Sequence, residues 1–400
     1  MTTVPNATVG AAPPPTPPGD ARPDRRGSPI PTLGMIATRL LELRKRRGLM
    51  ITLALVTIGL PTVFLVIRLL LHAFASKTYG PAGGYSVYTA FVPGVLYVFG
   101  FIVAATLGAT AGSVDLTDGM FRHLVVTGRS RLALYLARIP AGLAIIWSMV
   151  AVGFTIVCVV CVFAAPTQLQ FNGVNVPVGL SRTGFESWAA GHADQVICNF
   201  GIKIQGPGNG TSDVPEVLNA VQCGPNGGPG FQQSPAPQNQ PQPTAAQIRS
   251  VARLIASGNY ADYARQFLYP SYSLMIKSGL WLELEAAIGF LVGLGLGSLI
   301  GQRTVTVIIM IVLEVVLTPI LSRARIPHLI NLQRAVVGLA TAHLAPGGLP
   351  VLGGGGGGPG GGGGNPGLIP ESTTVAICVI VAWLVVWSVL GAWRMMTRDA

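Results

Sequence analysis

A polar stretch, AGSVDLTDGMFRHLVVTGRSR at residues 111–131, separates two long apolar runs. The run before it is FVPGVLYVFGFIVAATLGAT, residues 91–110, and the run after it is IPAGLAIIWSMVAVGFTIVCVVCVF, residues 139–163. A helix needs about 20 apolar residues to cross the hydrocarbon layer of a membrane, and both runs meet that length. The stretch between them carries two aspartates, three arginines and a histidine. The pattern therefore predicts two membrane spans joined by a charged loop.

The composition of the whole chain indicates an integral membrane protein. Half of the 400 residues are hydrophobic and 10% are charged, whereas soluble domains carry about 25% charged residues. Because backbone amides must be paired in lipid, we expect each apolar segment to be a helix. The predicted fold class is an all-α polytopic membrane protein with six transmembrane helices. These are expected at residues 50–71, 91–111, 139–164, 278–300, 304–321 and 373–393.

The distribution of basic residues predicts the orientation. Arg44, Lys45, Arg46 and Arg47 directly precede the first span, and basic residues favour the cytoplasmic side. An even number of spans then places both termini in the cytoplasm, and we expect the protein in the plasma membrane. The net charge of +11 does not indicate nucleic acid, because Lys and Arg are spread over tails and loops instead of forming one patch with aromatic residues.

The polar and apolar segments divide the chain into seven parts. The N-terminal part is expected to be a disordered Pro/Ala-rich cytoplasmic tail (1–31) and a basic amphipathic interfacial helix (32–48). Spans 1–3 follow, with a cytoplasmic loop at 112–138 (49–164), and then a partly disordered extracytoplasmic insertion (165–277). The C-terminal part is expected to contain spans 4 and 5 (278–321), an outer helix with a Gly-rich tether (322–372), and span 6 with a cytoplasmic tail (373–400).

The predicted interfacial helix has Ile36, Leu40 and Leu43 on one face and its basic residues at its end. Such a helix lies along the membrane surface, with its cations near anionic head groups. One interpretation is a plain juxtamembrane anchor, and the other is a specific contact with a partner.

No motif of covalent chemistry is visible in the sequence. The pattern GxxxxGK[ST] does not occur, so the chain does not bind ATP through that loop. The five histidines are scattered over different loops, without the spacing of a metal site, and no nucleophile motif is present. We therefore predict no catalytic residue, no bound cofactor and no metal.

One acidic residue lies at membrane depth. Glu314 is near the middle of the fifth span, where an ionisable side chain is costly and therefore a candidate for an ion or substrate pathway. A structural ion pair, or a protonated carboxyl group between helices, is the alternative. Arg68 in the first span could reach the interface, or pair with Glu314 or with Glu283 or Glu285. The last two point to different helix faces, so they do not form an acid/base pair.

The remaining patterns concern packing. Gly289, Gly293 and Gly297 form a row of small residues on the fourth span and predict a close helix contact. Cys198 and Cys223 lie in the predicted outer insertion, where oxidising conditions permit a disulfide, although the sequence does not decide whether they pair.

The polar stretch at residues 111–131 can form a short amphipathic helix. On that helix Phe121 lies on an apolar side next to Arg122. An exposed cytoplasmic helix of this kind suits docking onto another protein. The alternative is a helix packed against the ends of its own spans, with arginines that only set orientation.

The order of these features resembles the permease subunits of type-2 ABC exporters, in particular actinobacterial-like members. A basic helix, a first span and a second span are followed by an acidic, glycine and arginine segment and by a small-residue turn before the third span. The tail VAWLVVWSVLGAWRMMTRDA and the outer helical piece before it are also similar to that family. Met120 departs from the family, where Thr is frequent. The matching loop positions are Asp115, Asp118, Gly119, Arg122, Gly128, Ser130, Arg131 and Arg138.

This resemblance implies an ATP-driven exporter of an amphipathic or hydrophobic compound. Two permease copies would pair as a homodimer or heterodimer, and each would dock its loop on a separate cytoplasmic ATPase that binds ATP and Mg²⁺. The residues 111–131 would be the coupling segment. Two alternatives stay open: an ion-coupled carrier or channel that uses Glu314, and a membrane-anchored scaffold.

Overall fold

The computed structural model describes residues 30–79, 82–117, 130–166, 169–200, 244–264, 268–323, 329–347, 349, 351 and 371–397. This part of the chain is mostly helical. In chain order the helices are α1 (Leu33–Lys45), α2 (Arg47–Ala75), α3 (Tyr85–Val114), α4 (Arg131–Phe163), α5 (Arg182–Gly191), α6 (Ala193–Asn199), α7 (Ala245–Ala264), α8 (Tyr272–Ile300), α9 (Arg303–Ser322), α10 (Ile330–Arg334), α11 (Val337–His343) and α12 (Thr373–Thr397).

Six of these helices are long and apolar enough to cross a membrane, as the sequence predicts. They are α2, α3, α4, α8, α9 and α12. Their apolar windows differ in burial: 67% of the window in α8 and 61% in α3 is buried, against 22% in each of α2, α9 and α12. Helices α8 and α3 therefore form the centre of the bundle. Helices α2, α9 and α12 leave most of their apolar surface exposed. These features fit a multi-pass membrane protein.

The row of glycines on α8 packs directly against α3. A Cβ atom at Gly293 would lie 2.6 Å from the carbonyl oxygen of Ala105, and one at Gly297 would lie 2.7 Å from that of Ala109. A Cβ atom at Gly289 would lie 3.0 Å from the carbonyl oxygen of Phe101 in α3. Only glycine permits such an approach of two helix backbones. The predicted close contact is confirmed.

Three spans contain a π-helical turn, in which backbone hydrogen bonds run from residue i+5 to i. These turns are Leu55–Gly59 in α2, Val92–Tyr97 in α3 and Val312–Leu317 in α9. The turn in α3 contains Pro93, whose nitrogen cannot donate a backbone hydrogen bond. Single π turns are often found at functional sites.

The chain between α4 and α8 contains a small β-hairpin, which the sequence does not predict, within a mostly helical structure. Strand β1 (Leu169–Phe171) pairs antiparallel with β2 (Val174–Val176). The connecting residues Asn172 and Gly173 have φ angles of 47° and 83°, and an Asn-Gly pair favours this tight turn. The Asn-Gly pair is a local sequence signal for this turn, and a search for long apolar helices does not detect it.

The hairpin packs with α5, α6 and α7 around a hydrophobic cluster of its own. Phe185 lies at its centre, with its ring stacked on that of Tyr263 at a centroid distance of 4.2 Å. The Tyr263 hydroxyl donates to the carbonyl oxygen of Pro177 at 2.7 Å and accepts from the amide of Leu180 at 3.0 Å. Burial raises the pKa of Tyr263. The predicted insertion therefore contains a folded unit.

Between α9 and α12 the sequence predicts one outer helix, and the described part of this stretch contains two short helices, α10 and α11. Every residue of α11 from Val337 to Ala342 is buried. Two indole groups of the spans bind the carbonyl groups of this segment: Trp383 donates to Ala335 at 2.8 Å, and Trp281 donates to Thr341 at 3.0 Å. Such side-chain donors stabilise an irregular backbone that is buried among apolar helices.

Candidate functional site

The inward face of α9 is a stripe of residues four positions apart. Thr306, Met310, Glu314, Thr318 and Ser322 are all buried, whereas Val312 and Val316 are 50% and 48% exposed. A regular α-helix would rotate such a stripe by about 40° at each step, because it has 3.6 residues per turn. The π turn Val312–Leu317 holds more residues per turn, and it keeps Glu314 aligned with the rest of the stripe.

Glu314 meets a tyrosine from the central helix α3. The hydroxyl group of Tyr97 donates a hydrogen bond to Oε1 of Glu314, and the Thr318 hydroxyl lies 3.5 Å from Oε2. The ring of Tyr97 stacks on Trp281 of α8, with a centroid distance of 5.0 Å and an angle of 2° between the ring planes. Tyr97 ends the π turn of α3, so two π turns meet at this hydrogen bond.

A second carboxyl group, that of Glu285 in α8, faces the same place. It is 2% exposed and interacts electrostatically with Glu314. The Thr341 hydroxyl of α11 also interacts with Glu285, but atom Oε1 of Glu285 has no hydrogen-bond partner among the described residues. We call Tyr97, Glu285, Glu314, Thr318 and Thr341 the buried carboxyl cluster.

Helix α11 closes the buried carboxyl cluster with its backbone. A Cβ atom at Gly338 would lie 2.6 Å from Oε1 and 2.8 Å from Cδ of Glu314. A larger residue at position 338 would therefore have to displace the carboxyl group of Glu314. The cluster joins four elements, α3, α8, α9 and α11, around two acidic side chains.

The buried carboxyl cluster has two acidic side chains and no basic partner among the described residues. In the described ranges no ion pair reaches Glu285 or Glu314, and no group of three or more His, Cys, Asp and Glu residues is arranged to hold a metal. Two ionised carboxylates close together in an apolar interior repel each other and lose their hydration. A proton or a small cation bound between them would remove both costs.

The predicted coupling loop lies largely outside the described residues. This applies to Asp118, Gly119, Phe121, Arg122 and Gly128. The backbone of Asp115 is helical and directly follows α3, and its side chain is outside the description. Arg131 is described at the start of α4, where its Nη1 atom donates to the carbonyl oxygen of Met396 in α12 at 3.1 Å.

A second arginine near this loop is buried. Arg138 of α4 is 3% exposed, and its Nη1 atom donates to the carbonyl oxygens of Ala111 at 3.0 Å and Gly112 at 3.4 Å. These carbonyl groups belong to the C-terminal part of α3, where arginine side chains stabilise helix ends. Arg131 and Arg138 therefore join the C-terminal side of the predicted loop to α12 and α3.

A helix is present where the sequence predicts the interfacial helix: α1 (Leu33–Lys45), which packs on α4. Met35 contacts the cluster around Ala133 and Leu134, while Arg39 pairs with Glu42 at 2.6 Å. The basic residues lie at the C-terminal end of α1 and directly after it. Arg44, Lys45 and Arg47 are exposed, and Arg46 is half-buried.

The structure does not bring Arg68 to Glu314. Arg68 acts electrostatically on Cys161 of α4, whereas the interactions given for Glu314 involve the buried carboxyl cluster. Cys198 is disulfide-bonded, as the sequence allowed. Its predicted partner Cys223 lies outside the described residues. The thiols of Cys158, Cys161 and Cys378 are free.

Sequence reasoning missed most of the buried carboxyl cluster. The sequence indicates Glu285 only as a possible partner of Arg68, and it does not single out Tyr97 or Thr341. A signal for Glu285 is present: continuing the glycine row of α8 backwards in steps of four from Gly289 leads to Glu285 and then to Trp281. Tyr97 and Thr341 carry no comparable signal, because their contacts are set by other helices.

Comparisons of the chain with protein-family models, with curated proteins and with solved structures find no match.

Proposed function

We propose that the chain is the permease subunit of an ATP-driven exporter and that it works with a separate ATPase subunit. The observation that carries this proposal is the pair of arginines at the predicted coupling loop. Arg131 binds the end of α12 at 3.1 Å, and the buried Arg138 binds the end of α3 at 3.0 Å. A force applied to the loop would reach three spans at once, because α4 itself carries both arginines. A segment that couples ATP turnover to transport has to transmit force to several spans in this way.

The order of elements supports the same proposal. The amphipathic helix α1 precedes six candidate spans, and the short helices α10 and α11 lie between the last two. The resemblance to type-2 ABC exporter permeases includes both features. The transported compound would be amphipathic or hydrophobic, and a second permease copy would complete the pathway.

Co-expression with an ATPase subunit encoded in the adjacent reading frame tests this proposal. We expect the tagged full chain to capture that ATPase and to change its rate of ATP turnover. Joint replacement of Phe121 and Arg122 by alanine should abolish capture. Arg138→Gln should preserve capture but weaken the effect of the permease on ATP turnover. Arg182→Ala, an exposed change in α5, serves as the control and should alter neither quantity.

Two results would contradict the proposal. One is capture that is unaffected in the Phe121/Arg122 double variant, together with normal control of ATP turnover. The other is the absence of any complex with the adjacent ATPase.

A second candidate function, a proton-coupled carrier or channel, is favoured by the buried carboxyl cluster. Glu285 and Glu314 interact without an ion pair from the described residues, which suits reversible binding of a proton. Proteoliposomes containing the full chain and a pH-sensitive dye should then show proton flux under an imposed pH gradient. Glu314→Gln should abolish the flux, and Glu186→Gln in α5 should preserve it. No flux above that of empty liposomes would exclude this function.

A further inference from the structure

A groove lies between α1, α2 and α4, and its lining combines apolar side chains with one charged side chain. It has a volume of about 460 Å³, within the range of about 300–1,000 Å³ of small-molecule sites. The apolar wall includes Leu40 of α1, Met50 of α2 and Ile145 of α4, and the lining includes one charged side chain, that of Arg44. The site therefore suits a ligand with an apolar body and an anionic end.

The outer wall of the groove lies on the exposed side of the bundle. Ala144 and Ser148 of α4 line the groove and are exposed. Their neighbours Trp147 and Ile51, the latter next to Met50, are 43% and 64% exposed. Because apolar side chains on a candidate span face lipid when no other helix covers them, a lipid chain can reach the groove from the side.

The charged side chain in the groove, that of Arg44, belongs to a basic helix end. Arg44, which lines the groove, and Lys45 form the last turn of α1. Arg46 and Arg47 follow in the chain but do not line the groove. The carboxylate of Glu42 is already engaged by Arg39 at 2.6 Å, so it does not neutralise this group. An arginine at such a position offers charge-assisted hydrogen bonds to a phosphate group.

We propose that this groove binds one anionic phospholipid, with an acyl chain along the apolar wall and the phosphate group on Arg44. The charge of the basic end selects an anionic head group over a zwitterionic one. The lipid holds α1 against α4, and it does so whether or not the chain works with an ATPase. This assigns a specific ligand to a helix that sequence reasoning interpreted only as a general membrane anchor or a partner contact.

Native mass spectrometry of the full chain in detergent tests the proposal, with phosphatidylglycerol and phosphatidylcholine of identical acyl chains as probes. We expect one phosphatidylglycerol molecule to bind more tightly than phosphatidylcholine. Arg44→Gln should weaken phosphatidylglycerol binding about tenfold, since a hydrogen bond to a charged group contributes that much. Arg47→Gln removes the same charge from an exposed position outside the groove, and it should change binding by less than about twofold.

A second pair of variants tests the acyl site. Ala144→Trp fills the groove and should weaken the binding of both lipids. Val152→Trp changes another exposed position about two turns further along α4, outside the groove, and should leave binding unchanged. Equal loss in the Arg44 and Arg47 variants would mean general surface attraction and would overturn the proposal. So would normal binding in the Ala144 variant. Thermal unfolding without added lipid identifies any variant that fails to fold.

Discussion

Tyr97 donates a hydrogen bond to Glu314, although the two residues are 217 positions apart and lie on different spans. Each residue belongs to a π turn, one in α3 and one in α9. The hydrogen bond thus joins the central helix of the bundle to a peripheral one at the point where both depart from α-helical geometry. It supplies a donor to a carboxyl group that is 3% exposed.

Replacing Tyr97 by phenylalanine should destabilise the protein. The change removes the donor and leaves a buried carboxyl oxygen without its partner, which costs about 1–3 kcal/mol. Tyr135→Phe is a matched control, because Tyr135 is 1% exposed and its hydroxyl has no hydrogen-bond partner among the described residues. Thermal unfolding in detergent measures both variants. Equal melting temperatures for the two variants would show that the Tyr97 hydroxyl contributes nothing.

Adding a methyl group to Gly293 should weaken the contact between α8 and α3. The new Cβ of Gly293→Ala would lie 2.6 Å from the carbonyl oxygen of Ala105, and overpacking of this kind costs about 1–3 kcal/mol. Gly100→Ala is the control, because a Cβ there meets no atom within 4 Å. That variant should be neutral or slightly more stable, since alanine favours a helix by about 1 kcal/mol. A Gly293→Ala protein as stable as the control would contradict the packing.

Glu371 should make stability depend on pH. Its side chain is 1% exposed and lies 3.6 Å from His343. Burial raises the pKa of Glu371, and the nearby Arg334 opposes this effect. The folded protein then retains a proton that the unfolded chain releases near the ordinary carboxyl pKa of about 4.3. The stabilisation is therefore complete below that pH and is lost as pH rises through the folded-state pKa.

Glu371→Gln removes this titration, so the free energy of unfolding should decline less as pH rises above about 4.3. Thermal unfolding at a series of pH values measures the change. His343→Gln is the companion variant and should retain the decline, because it keeps the carboxyl group. A slope that Glu371→Gln leaves unchanged would assign the pH dependence to another residue.

The disulfide of Cys198 can be tested by counting thiols. Alkylation of the denatured protein without reductant should label only the three free thiols of Cys158, Cys161 and Cys378 if Cys198 pairs with Cys223, and all five cysteines after reduction. Cys198→Ser should lower the stability of the hairpin-containing unit by about 2–4 kcal/mol. Four labelled thiols before reduction, with a dimer on a non-reducing gel, would show an intermolecular bridge instead.

The parts of the fold that the sequence predicts correctly rest on local chemistry. Glu314 was identified because an ionisable residue in the middle of an apolar run is costly wherever its neighbours lie. The glycine row on α8 was identified because its spacing alone places it on one face. The hairpin turn at Asn172 and Gly173 also has a local signal, but it is short compared with the helical patterns around it.

Other features depend on residues that the chain brings together from far apart. The sequence left the partner of Glu314 open and named Arg68, whereas the contacts of Glu314 are Tyr97, Thr318 and Gly338. Arg138 was noted as a loop position, and its burial against the end of α3 follows only from the packing of α4.

The sequence alone determined that six helices are long and apolar enough to span a membrane, because an unpaired backbone amide in lipid is too costly for any other local structure. It also determined that Glu314 lies within one of those helices. Only the tertiary structure decided that Glu285 faces Glu314, that Tyr97 and Thr341 join them, and that α11 closes the cluster with Gly338. The rotation and packing of separate helices set these contacts, and the length of an apolar run in the sequence determines neither of them.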